Sequence, residues 1–348
     1  MSKFEIGVYT LADIGPNPLT GTTISAEERT KEIIEAAKLA DDAGLDIFGV
    51  GEHHRLDYAV SSPAVLLAAV AMVTKKIRLT STTSVLSTLD PVRLFEDFAQ
   101  LDLISGGRAE ILAGRGAFIE SFPLFGYDLN DYNELFEEHL ELLQLLNEKE
   151  IVSWEGKFRS ALVNAQIAPR PVQKEIPLWI GVGGTYESAL RAGRLGVGMA
   201  LAILGGDPMR FKFLVDGYYE AAKEAGHAKD NLKIGVTGHT YIAETIEQAR
   251  DEFFPYYANY WTYVNKQRGM GFRITKEGFE GMTAPNSALF VGGPNEIIEK
   301  ILHQHELFGH QRFLAQVDIG GVPFRDIERT IELLATKVAP VVRKELNK

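Results

Sequence analysis

Between Ile77 and Gly116 the spacing of apolar positions changes period twice, and the changes mark out one structural unit. Ile77 to Leu86 is a β-branched run of the kind that forms a buried strand. Asp90-Pro91 then supplies an N-cap and a first-turn proline, and Leu94, Phe95, Phe98 and Leu101 recur at helical spacing. Gly106-Gly107 stops that helix by offering positive φ, and a second strand runs from Arg108 to Gly116. Strand, helix and strand with tight connections predict parallel pairing through a right-handed crossover.

The rest of the chain reads as further copies of this unit. Phe4 to Tyr9 is a first strand, and Ser25-Ala26-Glu27-Glu28 is a capping box opening a helix that Gly44 ends. Asp46 to Gly51 is a second strand, followed by a helix from Pro63 to Val73. Asn130 to Asn147 is strongly helical, with Leu135, Phe136, Leu140, Leu143 and Leu146 on one side. Leu178 to Val182 is the fifth strand, with its helix from Thr185 to Leu195. Val197 to Ile203, Leu232 to Ala243 and Arg312 to Val317 are the sixth to eighth, and a last helix runs from about Asp326 to Lys344. Eight such units predict a TIM-type β/α barrel forming one domain over residues 1–348. Two insertions interrupt it. One, near 150–175, looks like a hairpin built from Ile151 to Trp154 and Ala165 to Ile167. The other, near 253–285, is dense in aromatics and ends in Gly269-Met270-Gly271-Phe272. It reads either as a hinged loop over the barrel mouth or as packing in a core or subunit interface.

Composition narrows the function. The 348 residues carry a formal charge of −11 and no cysteine. Net acidity argues against nucleic acid and anionic membranes as partners. Without cysteine there is no disulfide framework, thiolate metal site or cysteine nucleophile. No run could span a bilayer and the N-terminus lacks a signal-peptide pattern, so a cytoplasmic protein is expected.

In a β/α barrel, functional residues sit at the C-terminal ends of the strands. That rule selects Glu52-His53-His54, Thr82-Thr83-Ser84, Gly114-Arg115-Gly116 and Gly183-Gly184 with Ser188. One imidazole of the His53-His54 pair could serve as a general acid or base, or the two could be structural hydrogen-bonding groups. Shared metal binding is disfavoured, because adjacent residues on a strand end point to opposite faces. The Gly181 to Thr185 turn could bring backbone N–H groups to a phosphate at the start of a helix. Arg115 could add a positive charge there or form a salt bridge on the barrel rim. Thr82-Thr83 is also explained by β-propensity alone. His303, His305 and His310, on or near a charged helix, are expected to be solvated.

Taken together and in order, these pieces resemble the bacterial luciferase-like flavin monooxygenases along almost the whole chain. The residues that carry the resemblance are Gly51-Glu52-His53-His54, Thr82 to Leu86 with Asp90 to Arg93, and Leu101 to Arg108. Gly114-Arg115-Gly116, Phe125-Gly126-Tyr127-Asp128 and Val291-Gly292-Gly293-Pro294 extend it. The resemblance implies a barrel that receives reduced FMN from a separate flavin reductase and uses molecular oxygen to oxidise a small organic substrate. It places His53 at the family's catalytic histidine beside the flavin ring and Thr82-Thr83 at the family's non-proline cis peptide under that ring, with Glu52 and Ser84 among the cofactor-binding residues. Arg115 matches an arginine near the flavin, and Gly183, Gly184 and Ser188 match the phosphate-binding turn. The aromatic stretch lies near the family's mobile loop.

Two positions depart from the pattern. Gly114 stands where the luciferase α chain has a reactive cysteine, and Asn133 where it has a phosphate-contacting arginine. The same barrel also accommodates a deazaflavin-dependent oxidoreductase, and a non-catalytic flavin-binding protein or a metal-dependent hydrolase are further readings. A homodimer or higher homo-oligomer is expected, with the helices after Pro91 and Asn130 as the seam.

Overall fold

A computed structural model describes residues 3–116, 118–267 and 273–346. Eight parallel strands close on themselves: β1 (Glu5–Thr10), β2 (Ile47–Val50), β3 (Arg78–Ser81), β4 (Ala109–Gly114), β5 (Leu178–Val182), β6 (Gly198–Ala202), β7 (Ile234–Ile242) and β8 (Arg312–Gln316). Each pairs with its sequence neighbour, and β8 pairs with β1 in the register Glu5↔Arg312 to Tyr9↔Gln316. The barrel predicted from the repeated unit is therefore the fold. Strands such as β7 are buried at every position, because helices cover the outside and side chains fill the inside.

The helices begin and end where their caps dictate. Helix α1 (Ala26–Asp42) starts in the complete Ser25/Glu28 capping box. Helix α2 (Pro63–Val73) has the bounds read from sequence, and α3 (Pro91–Ser105) has the Asp90 side chain accepting from the Val92 and Arg93 N–H groups. Gly106 ends α3 with φ of 68°. Helix α4 (Tyr132–Glu148) is preceded by a 3-10 turn at Leu129–Asp131, and α5 (Tyr186–Leu195) and α6 (Lys212–Glu224) follow β5 and β6.

Several boundaries differ from the sequence reading. The run from Ile77 to Leu86 is two pieces, β3 and a short Ser84–Val85 strand, separated by a cis peptide between Thr82 and Thr83. The second strand of the antiparallel hairpin is Leu162–Gln166, three residues earlier than expected. The aromatic run of the second insertion, from Phe253 to Tyr263, lies in a helix, α7 (Ile246–Gln267), which runs through Pro255. Its Phe253, Tyr256, Tyr257 and Tyr260 are buried against the barrel, so this part is packed wall. The Gly269 to Phe272 hinge lies outside the described residues. The last helix begins at Phe324 and passes through a π-helical turn at Leu334–Val338. His310 is fully buried and His305 half-buried, contrary to the expectation of solvated histidines, because His305 Nδ1 hydrogen-bonds the His310 carbonyl and both rings pack on Phe4.

The lower barrel is filled by charge as well as hydrocarbon. Arg312 on β8 reaches across to Glu110 on β4 (2.6 and 3.1 Å) and also bonds Glu5 on β1. Arg78 on β3 pairs with Glu110 as well, and the Arg312 guanidinium lies 4.1 Å from the Trp179 ring centroid. Gly198 has no side chain because any Cβ would lie 2.4 Å from that indole. Burial pushes the Glu110 carboxyl up, but Arg312 and Arg78 outweigh it and hold it below the usual carboxylate range. Removing one partner of such a pair leaves an uncompensated charge inside. Arg312→Met is therefore expected to lower the unfolding free energy by about 3 kcal/mol or more, measured by urea denaturation. A loss below about 1 kcal/mol would show that the barrel does not depend on this pair.

Candidate active site

The C-terminal ends of the strands open into a cavity of 440 Å³. Of the residues singled out in the sequence, Glu52, His53, Thr82, Thr83, Arg115 and Gly183 line it. Ser84, Gly184 and Ser188 do not. Ser188 is tied in through Arg115, and Ser84 is buried in the short strand beside β4.

The loop after β2 turns its three polar residues in different directions. The two Glu52 oxygens are engaged separately: Oε1 with His54 Nε2 (2.8 Å), and Oε2 with the Val85 N–H (3.0 Å). Glu52 thus ties the end of β2 to the segment after Thr82-Thr83. It also lines the cavity in which the sequence reading expects the cofactor. His54 is spent on Glu52 and packs edge-on against Phe125. His53 instead lies against Tyr58 (ring centroids 4.0 Å apart) and Phe118 (5.4 Å), leaving its Nε2 without a protein partner. The three do not converge on a point, so they form no metal site of the hydrolase kind. Burial, aided by the charge of Arg55, pushes the His53 imidazole down to about 3, so it is neutral across the physiological range.

Thr82 and Thr83 form a shelf that three strands make room for. A Cβ at Gly49 would lie 2.5 Å from the Thr82 methyl, and one at Gly114 would lie 2.7 to 2.9 Å from three Thr83 atoms. At Gly181 it would meet the Thr83 methyl at 3.1 Å. The glycine at 114 is thus explained locally, since a cysteine there would collide with Thr83. The Thr82 hydroxyl has no partner within the protein.

The end of the cavity at β4 and β5 has different chemistry. Arg115 donates to Asn133 Oδ1 (2.7 Å) and Ser188 Oγ (3.0 Å) and lies over the Tyr132 ring. A Cβ at Gly183 or Gly184 would meet nothing within 4 Å, so the turn leading into α5 leaves open space in front of its backbone. An open turn, a helix N-terminus and a guanidinium held by three neutral side chains, Asn133, Thr185 and Ser188, suit a phosphate. Asn133 is part of this arrangement, as the hydrogen-bonding support of the single arginine.

Among the lining residues missed in the sequence are four polar ones on β1, β7 and β8: Tyr9, Thr237, His239 and Gln316. His239 sits opposite Gln316, which sits opposite Tyr9, in one row across β7, β8 and β1. Tyr9 donates to Gln316 Oε1 (3.1 Å). His239 is fully buried with both ring nitrogens free of protein partners, and burial pushes it down to about 4. Thr237 and His239, two residues apart in the strand, were the available signal, since that spacing puts both on one face.

Residues 4–311 match the model of the luciferase-like monooxygenase family. The flavin-dependent trigonelline monooxygenase, oxygenase component, of Acinetobacter baylyi is 25% identical over 337 residues, 89% of each chain. The crystal structure of monooxygenase RslO1 from Streptomyces bottropensis superposes with a TM-score of 0.82 at 26% identity, covering 97% of this chain and 99% of that one. The oxygenating constituent of 3,6-diketocamphane monooxygenase from Pseudomonas putida, solved with FMN, shares the fold at TM-score 0.78 and 22% identity over 97% and 99% of the two chains. With a closed eight-stranded barrel, a mouth cavity and a family match spanning nearly its whole length, this chain belongs to the luciferase-like family of flavin-dependent monooxygenases.

Proposed function

We propose that this protein is the oxygenase of a two-component system, taking reduced FMN from a separate reductase and oxidising a small organic substrate with molecular oxygen. The observation that carries the reading is the division of one cavity into a phosphate-suited end and a shelf bearing unpartnered polar atoms. The FMN bound in the Pseudomonas putida structure and the naming of the Acinetobacter baylyi relative as an oxygenase component support it. Arg115, Ser188, Gly183 and Gly184 would hold the phosphate, and Thr82-Thr83, supported by Ser84, would carry the ring. When bound, the flavin supplies the electrons for oxygen activation. The protein positions the ring, excludes water and offers His53 Nε2 as a hydrogen-bonding group. Because His53 is neutral at pH 7, its contribution is a directed hydrogen bond, with no stored proton to give.

Anaerobic titration with reduced FMN, followed by an oxygen pulse, tests the reading. Saturable binding and oxygen uptake coupled to substrate oxidation support it. Binding of a reduced deazaflavin in preference to FMN would replace it with a deazaflavin-dependent oxidoreductase, and binding without any turnover would leave a flavin carrier. Arg115→Ala is expected to weaken FMN by about tenfold to a hundredfold, the worth of one charge-assisted hydrogen bond, and to leave riboflavin affinity unchanged. Equal losses for both ligands would show that the arginine does not meet the phosphate.

His53→Ala is expected to cost about tenfold to a hundredfold in turnover, the worth of one directed hydrogen bond. Its folded pKa lies below the unfolded value of about 6.5, so between that value and about 3 only the unfolded chain gains a proton. The resulting stability is complete above pH 6.5 and is lost as the pH falls through that window, by about 1.4 kcal/mol per pH unit from this residue. Urea unfolding of wild type and His53→Ala from pH 6.5 to 4.5 should show that difference in slope, and parallel lines would mean a solvated imidazole.

A second copy of the chain is the expected partner, and the exposed faces favour a seam on α2 and α3 over one that includes α4. Helix α4 exposes Glu134, Glu137 and Glu141, which suits solvent. Helix α2 exposes Val65, Met72 and Val73, and its neighbour α3 exposes Leu103 and Ile104. Burying such a face is what a self-complementary contact does. Val65→Glu should therefore convert a dimer to monomers in light scattering, and a monomeric wild type would exclude this seam.

A further inference from the structure

The row of Tyr9, Gln316 and His239 has a direction that the flavin reading does not use. Thr237 hydrogen-bonds the Tyr9 phenol, and the Tyr9 hydroxyl donates to Gln316 Oε1. That bond orients the Gln316 amide, whose Nε2 has no partner in the protein. Gln316 is 1% exposed and lines the cavity, so its amide hydrogens are buried donors awaiting an acceptor. Beside it, the neutral His239 ring offers one donor and one acceptor nitrogen, also unpartnered. Leaving such groups unpaired costs desolvation that a matching ligand recovers.

The walls around this row are Tyr260, Trp261, Val264 and Leu11. Among the described residues the cavity has one guanidinium or ammonium group, Arg115, and that group is held by Asn133 and Ser188 at the opposite end. The row stands on β7, β8 and β1: Tyr9 flanks Gly49 opposite Thr82 of the shelf, and Gln316 and His239 lie farther round the barrel, away from Arg115 at the end of β4. An anion placed here would be desolvated against neutral donors alone, and a cation would meet the amide hydrogens.

We infer that Gln316 and His239 are the substrate-orienting residues, reading a carbonyl-type oxygen on an uncharged, ring-containing substrate. This rests on the monooxygenase reading for the identity of the site, but the polarity of the row stands by itself. The amide fixes the oxygen, the aromatic walls take the ring, and the rest of the molecule faces the shelf. A substrate with a carboxylate or an ammonium in place of that oxygen is rejected by desolvation or repulsion.

Three probes with one ring and different polar groups test this: acetophenone, benzoate and benzylammonium, titrated into the purified protein by saturation-transfer NMR. Acetophenone is expected to bind at least tenfold more tightly than either ion. Gln316→Leu and His239→Phe should each weaken acetophenone about tenfold and leave FMN affinity within twofold. Gln316→Glu replaces the donor with a negative acceptor, so it should lose acetophenone and gain benzylammonium. If His239→Phe does not fold, the Gln316→Glu exchange still decides. Benzoate binding as well as acetophenone, no acetophenone binding, or an unchanged ranking in Gln316→Glu would overturn the inference. Should FMN fail to bind while the ranking holds, the flavin reading falls and this one stands. FMN binding with the ranking lost does the reverse.

Discussion

The closure of β8 onto β1 is the constraint on which the molecule depends, and one arginine spans it. Arg312 stands on β8, bonds Glu5 on β1 and crosses the interior to Glu110 on β4, with Trp179 of β5 beneath its guanidinium. Four strands are tied together through a group that cannot lose its charge. The same closure places Gln316, four residues above Arg312, opposite Tyr9. A slip of one residue at this seam would turn both side chains out of the cavity. The stability of the floor and the alignment of the mouth are therefore the same structural fact seen at two heights.

Above the floor, the shelf is built by subtraction. Glycines at 49, 114 and 181 remove side chains from three strands so that Thr82 and Thr83 can lie across the barrel mouth. Glu52 then fixes the segment beyond the shelf by accepting the Val85 N–H. Its two oxygens thereby hold His54 and the segment after Thr83 separately. His53 is the residue left over from this bracing, pressed against Tyr58 and Phe118 with one nitrogen facing the cavity.

How much could be read in the sequence follows from how local each cause is. Asp90-Pro91 and Gly106-Gly107 bound α3 correctly because caps act within one turn of the backbone. Arg115 and Gly183 were found because strand-end residues are local to their own βα unit. The break at Thr82-Thr83 was visible only through the family resemblance, since β-branched residues by themselves read as continuous strand. Pro255 obscured α7, whose long buried face of Phe253, Tyr256, Tyr257 and Tyr260 outweighs one missing N–H. His310 read as solvated because its neighbours on the helix are charged, whereas its burial comes from packing on Phe4, three hundred residues away in the chain. The Tyr9–Gln316–His239 row is the extreme case: it exists only in the register of three strands that are far apart in sequence.

The two halves of the cavity differ in what they ask of a ligand, and the difference bears on the order of events. At the β4–β5 end the groups are charged or open to solvent, so a phosphate can be captured while still partly hydrated. At the β7–β8–β1 end the groups are neutral, buried and apolar-walled, so a molecule must shed its water to enter. Helix α7 contributes Tyr260 and Trp261 to that second half. Its last turn leads directly into the chain that follows Gln267. Under the proposed function, a site arranged in this way would take its cofactor first and its substrate afterwards. That order keeps water away from the reacting atoms, which is what oxygen chemistry on a reduced flavin requires of its protein.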